Sequence, residues 1–145
     1  MVTWKTDVET AYIVLIISDQ PETAASWNTL FTQRNCIVLV ESEVSDAIQS
    51  ARLIDPSLVV IDVQLPKAER ATLLKQLRAN CRGHILMLIS ANTVDEILEA
   101  NRLGADECLV KPVNSAVLIV KAMAWLGHGQ RRKYMTGPLS MNPAI

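Results

Sequence analysis

Short apolar runs recur along the chain, each stopped by polar or turn-forming residues. Tyr12 to Ile17 is β-branched and apolar and reads as a first strand; Cys36 to Val40, Leu58 to Ile61, Ile85 to Ile89 and Cys108 to Val110 follow. A continuous apolar run of this length, bounded by turn signals, predicts a strand buried on both faces of a parallel sheet. Between the runs the spacing becomes helical. A first helix is predicted over roughly Glu22 to Gln33, with Ala25, Leu30 and Phe31 among its apolar positions. Ser45 to Leu53 gives a second, ended by Asp55-Pro56. Glu69 to Asn80 gives a third, with Leu73, Leu74 and Leu77 at the spacing of a buried face. Asn92 or Thr93 can cap a fourth, closed by Leu103-Gly104, and Asn114 to Leu126 gives a fifth.

Strand and helix therefore alternate throughout. Such alternation demands a parallel sheet with helices on both faces, because each crossover must be long and right-handed. No internal repeat or low-complexity segment interrupts the pattern. From Gly127 onward, glycines, prolines and the cluster Arg131-Arg132-Lys133 predict a linker.

The totals narrow the class. At 145 residues the chain suits one domain with a real core and is too short for two. With 14 basic and 15 acidic residues, it lacks the basic footprint of a nucleic-acid-binding domain. Cys36, Cys81 and Cys108 are odd in number and lack metal-type spacing, so free thiols in a reducing cytosol are expected. The apolar stretch from Ala11 is too short to span a bilayer and lacks a basic leader. A cytoplasmic protein without membrane contact is the expectation.

The candidate chemistry sits where the strands end. Strand one runs into Asp19, strand three into Asp62, strand four into Ser90 and strand five into Lys111. In open α/β sheets the ligand crevice lies outside the carboxyl ends of the strands. A sheet ordered 2-1-3-4-5 would bring two carboxylates, a hydroxyl and an ammonium to one crevice. Paired carboxylates need a counter-charge, which a hard cation such as Mg²⁺ supplies. A carboxylate can also act as a nucleophile and form an aspartyl phosphate, with Lys111 and Ser90 meeting phosphoryl oxygens. Singly, each residue has a plainer reading: Asp as a turn residue, Ser90 as a helix cap, Lys111 as a solvated charge. Their joint placement is what points to a site.

The segments Ile16-Ile17-Ser18-Asp19-Gln20, Val59-Val60-Ile61-Asp62-Val63-Gln64-Leu65-Pro66, Leu88-Ile89-Ser90-Ala91 and Gly104-Ala105-Asp106-Glu107-Cys108-Leu109-Val110-Lys111-Pro112 together resemble the receiver domain of a two-component response regulator. The resemblance spans about residues 11–126, with 1–10 as an N-terminal extension and 127–145 as linker. It implies a flavodoxin-like, doubly wound sheet of order 2-1-3-4-5. By the same resemblance Asp62 is the phospho-acceptor, charged by a sensor histidine kinase. Asp19, Asp62 and the Gln64 backbone carbonyl would be Mg²⁺ ligands, Ser90 the switch hydroxyl and Lys111 the phosphate-contacting lysine. The expected role is a signalling switch, not an enzyme in the ordinary sense.

Three features depart from the family pattern. Ser18 stands where a second acid is usual, which lowers the expected Mg²⁺ affinity. Cys108 replaces the usual aromatic switch residue. Lys67 and Arg70 occupy a loop where glycines are usual, and Lys67 either adds charge near a phosphate or points to water. A pseudo-receiver that works as an interaction module without phosphorylation is the competing expectation. A flavin-binding protein of similar fold would need a phosphate-cradling loop rich in Ser, Thr and Gly, and Ser18-Asp19-Gln20-Pro21 is not one.

The resemblance also implies an output. In the winged-helix DNA-binding branch, receivers dimerise through the helix four–strand five–helix five face. Asp106 and Lys121 fall where that branch pairs an acid and a base between subunits, with ordinary surface charges as the alternative. Tyr134 to Pro143 looks like the opening strand of a winged-helix effector, so a receiver cut from a longer transcription regulator is expected, with a complete single-domain receiver and a disordered tail as the competing expectation. DNA would be reached only through such an effector domain.

Overall fold

The computed structural model describes residues 11–90 and 93–136, with side chains as far as residue 127. Strands β1 (Tyr12–Ser18), β2 (Cys36–Glu41), β3 (Leu58–Asp62), β4 (His84–Ile89) and β5 (Glu107–Val110) alternate with helices α1 (Pro21–Thr32), α2 (Val44–Ile54), α3 (Lys67–Asn80), α4 (Val94–Leu103) and α5 (Ser115–Thr136). All pairings are parallel, in the order β2-β1-β3-β4-β5. This is the flavodoxin-like doubly wound sheet expected from the sequence, with its switch point between β1 and β3.

The apolar runs explain why the centre of the sheet is dry. Every residue of β3 and β4 is buried, as are the last five of β1. On one face Val14, Ile16, Val60 and Leu86 pack with Trp27 and Phe31 of α1 and with Leu118, Ala122 and Leu126 of α5. On the other, Leu15, Ile17, Val59 and Ile61 meet Ala47 and Ala51 of α2, Ala100 of α4, and Leu73, Leu74 and Leu77 of α3. Each fully buried large side chain contributes about 1.5–3 kcal/mol.

Local signals set the helix ends. Pro21 occupies the first turn of α1, with Glu22 beside it at the positive end of the helix. The Thr93 hydroxyl caps α4 by accepting from the Glu96 N–H at 3.3 Å; Asn92, the other candidate cap, lies outside the described residues. Gly104 closes α4 at φ 134°, a conformation that disfavours any Cβ.

Two expectations need correction. The buried stripe of α1 is Ala24, Trp27 and Phe31, whereas Ala25 faces solvent and Leu30 is half-buried. And α5 does not stop at Leu126: it continues through Gly127 to Thr136. Glycine in a helix costs only about 1 kcal/mol relative to alanine, and the Gln130-to-Lys133 run consists of good helix formers. The helix thus covers the first half of the predicted linker. The N-terminal extension, and the part of the strand-like tail beyond Thr136, lie outside the described residues. Among the described residues, no helix is long and apolar enough to cross a membrane.

Candidate functional site

Parallel register places the strand ends side by side. Ser18, the last residue of β1, is the Cα partner of Asp62, the last residue of β3. Asp62 is only 4% exposed, yet it is not unpaired: Lys111 Nζ donates to its Oδ1 at 2.6 Å. Lys111 reaches it from the exit of β5, across the end of β4. The Lys111 N–H donates to the Ile89 carbonyl at 3.0 Å, so the β4–β5 pairing sets the lysine's starting point beside Ser90. The Lys111-Pro112 peptide is cis. A carboxylate this buried requires such a partner, because an isolated charge in a dry site is costly.

The remaining predicted residues lie at or just beyond the ends of β1, β3 and β4. Asp19 is exposed next to Ser18, its Oδ1 accepting a long 3.5 Å contact from Gln20 Nε2. Gln64 is exposed in the loop between β3 and α3, and Ser90 is exposed where β4 ends. The donor set facing a cation would therefore be two carboxylates and a backbone carbonyl, all oxygen, which suits a hard cation in kind. It is one acid short. The Ser18 hydroxyl is buried, accepting from the Gln20 N–H at 3.1 Å and donating to the Gln20 carbonyl at 3.4 Å. It shapes the β1–α1 turn. Among the described residues no cluster of three or more acidic, histidine or cysteine side chains is placed to hold a metal.

Cys108 lies half-buried on β5, donating to Asn101 Oδ1 at 3.7 Å. Burial pushes its thiol up from the ordinary value; the Arg70 charge opposes this and Glu107 adds to it. Arg70 is half-buried and Lys67 exposed at the start of α3.

Asp106 and Lys121 are both engaged within the single chain. Asp106 Oδ2 accepts from the Ile85 N–H at 2.7 Å and from Arg78 Nη1 at 3.3 Å, and lies 3.4 Å from His84 Nδ1. Lys121 Nζ sits 2.9 Å from Glu107 Oε2, while Glu107 Oε1 accepts from Trp125 Nε1 at 2.6 Å. Arg78 also donates to the carbonyls of Gly83, Gly104 and Cys81. Neither Arg78 nor Glu107 stands out in the sequence: two of the four partners of Arg78 lie 26 and 28 residues further along the chain, and Glu107 looks like any acid beside Asp106.

Comparison with known proteins agrees with this geometry. The model of the response regulator receiver domain matches residues 14–123. The transcriptional activator protein IrlR of Burkholderia pseudomallei is 27% identical over 120 residues, covering 83% of this chain and 52% of IrlR. The transcriptional regulatory protein CusR of Escherichia coli is 26% identical over 117 residues, covering 80% of this chain and 52% of CusR. The chain thus spans about half the length of these relatives. A CheY-like response regulator receiver domain protein from Methanospirillum hungatei shares the fold, with a TM-score of 0.75 at 19% identity over 84% of this chain and 98% of that one. With a buried, lysine-paired aspartate at the carboxyl edge of a 2-1-3-4-5 sheet and a family match across most of its length, the chain belongs to the response regulator receiver domain family.

Proposed function

We propose that this domain is a phosphorylation-driven switch in a cytoplasmic two-component system, with Asp62 as acceptor and a sensor histidine kinase as donor. The observation that carries this reading is the 2.6 Å contact between Lys111 Nζ and Asp62 Oδ1. In the reaction an Asp62 carboxylate oxygen attacks phosphorus, the bond from phosphorus to the donor histidine nitrogen breaks, and the departing imidazole takes up a proton. The product is an acyl phosphate. Lys111 holds the acceptor in place beforehand and is positioned to follow the new charge onto a phosphoryl oxygen. Mg²⁺ held by Asp19, Asp62 and the Gln64 carbonyl would neutralise charge during transfer. Ser90, beside Lys111 at the end of β4, is the hydroxyl that the phosphoryl group would draw inward.

The output we propose is a change at the α4–β5–α5 face, controlling transcription through a winged-helix DNA-binding domain not contained in residues 11–136. Exposed apolar residues support a dimer on this face: Val94 and Leu98 on α4, Val110 on β5, and Val117 and Val120 on α5. Apolar patches of this kind mark interaction sites. Asp106 and Lys121 would join an intersubunit network only by sharing their present partners, so apolar contact is assigned the larger part.

Intact mass after incubation with acetyl phosphate and Mg²⁺, beside an Asp62→Ala control, tests the reading. A phosphoryl adduct absent from the control supports it. No adduct at any Mg²⁺ concentration would instead favour a pseudo-receiver that acts as an interaction module. Ser18 favours that second reading, since its hydroxyl is committed to the turn and one acid is missing.

A further inference from the structure

The two edges of the sheet are guarded unequally. β5 offers four residues and runs directly into Lys111-Pro112. β2 offers six, Cys36-Ile37-Val38-Leu39-Val40-Glu41, paired among the described residues only with β1. Within that run there is no proline or lysine, the usual devices that keep an edge strand from pairing with another chain. Cys36 and Val38 pack beneath α1. Alternation along the strand turns Ile37 and Leu39 to the opposite face, where α2 packs through Ala47 and Ala51 and leaves them 56% and 36% exposed. Val40 is 38% exposed.

Charge is divided along the same edge. Arg34 and Arg52 are exposed at its amino end, Arg52 because α2 runs back antiparallel to β2. Glu41, Glu43 and Asp46 gather at its carboxyl end. Antiparallel pairing of two such edges sets the basic end of each against the acidic end of the other. Parallel pairing would oppose like charges.

We propose that β2 is a self-association edge, on which a second copy of this chain pairs antiparallel about a two-fold axis through Val38, joining the two five-stranded sheets into one. A two-fold axis perpendicular to a sheet keeps each side chain on its own face, so a residue can oppose only a residue of the same parity. Centred on Val38, the register sets Ile37 against Leu39 of the second copy, and Leu39 against its Ile37. The exposed apolar side chains cover one another. Arg34, in the turn just before the strand, then lies towards the end of the joint that carries Glu41 and Glu43 of the second copy. This inference is independent of the phosphorylation reading and of the α4–β5–α5 face, which lies at the other edge of the sheet.

Sedimentation equilibrium of the full chain tests it, with circular dichroism confirming that each variant is folded. The wild type is expected to associate. Ile37→Lys and Leu39→Lys should each weaken association about tenfold or more, since each places like charges at the joint. Arg34→Glu should weaken it too, and Arg34→Glu/Glu43→Arg should recover it. Leu98→Lys, on the opposite edge, should leave β2 association intact. A wild-type chain that stays monomeric up to its solubility limit would overturn the proposal, whether the edge is free or covered by the chain's own residues. Association abolished by Leu98→Lys but indifferent to Ile37→Lys would overturn it equally.

Discussion

Lys111 Nζ lies 2.6 Å from Asp62 Oδ1, linking the carboxyl ends of β5 and β3 across β4. The aspartate side chain is 5% exposed and the lysine 28%, so the carboxylate depends on this ammonium more than the ammonium depends on it. Replacing Lys111 by Met should strand a charge in a dry crevice. We expect a loss of about 1–2 kcal/mol, below the value for a fully buried pair because Lys111 is partly wet. Asp62→Asn/Lys111→Met should recover part of it, giving a positive coupling in a urea-denaturation cycle. Additive single effects would mean that the contact contributes nothing net.

Ser18 and Asp62 are register partners, so an acid at position 18 would stand beside the acceptor. An Asp there can still accept the Gln20 N–H that Ser18 now binds. Ser18→Asp is therefore expected to keep the turn, raise Mg²⁺ affinity about tenfold and lower stability in metal-free buffer. Calorimetric titration with Mg²⁺ and thermal melts with a chelator check both halves.

Asp106 satisfies the Ile85 N–H and lies against Arg78 and His84 at once. Its removal should loosen the start of β4 and the end of α3 together. Asp106→Ala is expected to cost about 2–3 kcal/mol, because a backbone donor and a guanidinium lose their acceptor. Sedimentation should show its oligomeric state unchanged at concentrations where it stays folded. A variant of full stability that no longer dimerises would instead assign Asp106 to a subunit interface.

All three thiols are pushed up from their ordinary value, in each case chiefly by burial. In the unfolded chain they ionise first. The stability they allow is thus fully present below the unfolded thiol pKa and declines as pH rises through it towards the higher folded value. Urea midpoints should fall between about pH 8 and pH 10, the range of the ordinary thiol pKa, and less steeply once Cys108 is replaced by Ser. Near neutral pH, mass spectrometry after iodoacetamide treatment should show slow labelling. Cys108 should react first, since Cys36 and Cys81 are buried. Fast labelling of Cys108 at neutral pH would mean that Arg70 outweighs burial.

Much of this fold could be read from the chain because its strongest signals are local. A run such as Val59-Val60-Ile61-Asp62 states its own burial and its own end, and Thr93 and Gly104 mark the limits of α4 within a few residues. Period and punctuation need no knowledge of distant partners. The alternation of elements, the parallel sheet and the four strand-end residues were legible for that reason.

What needed the tertiary structure depends on separations the chain does not display. Ala24 shares a helical face with Trp27 and Phe31 by spacing, but the sheet beneath α1 is what selects that face over the one carrying Ala25. Ser18 reads as a missing acid until its hydroxyl is found closing the β1–α1 turn. Asp106 and Lys121 read as charges free for a partner until Arg78, 28 residues from Asp106, and Glu107 are seen to engage them. Side-chain pairing is fixed by packing, where one carboxylate has several cations within reach and desolvation selects among them. The sequence by itself determined which groups arrive at the edge of the sheet, and only the folded chain decided which of them are already spoken for.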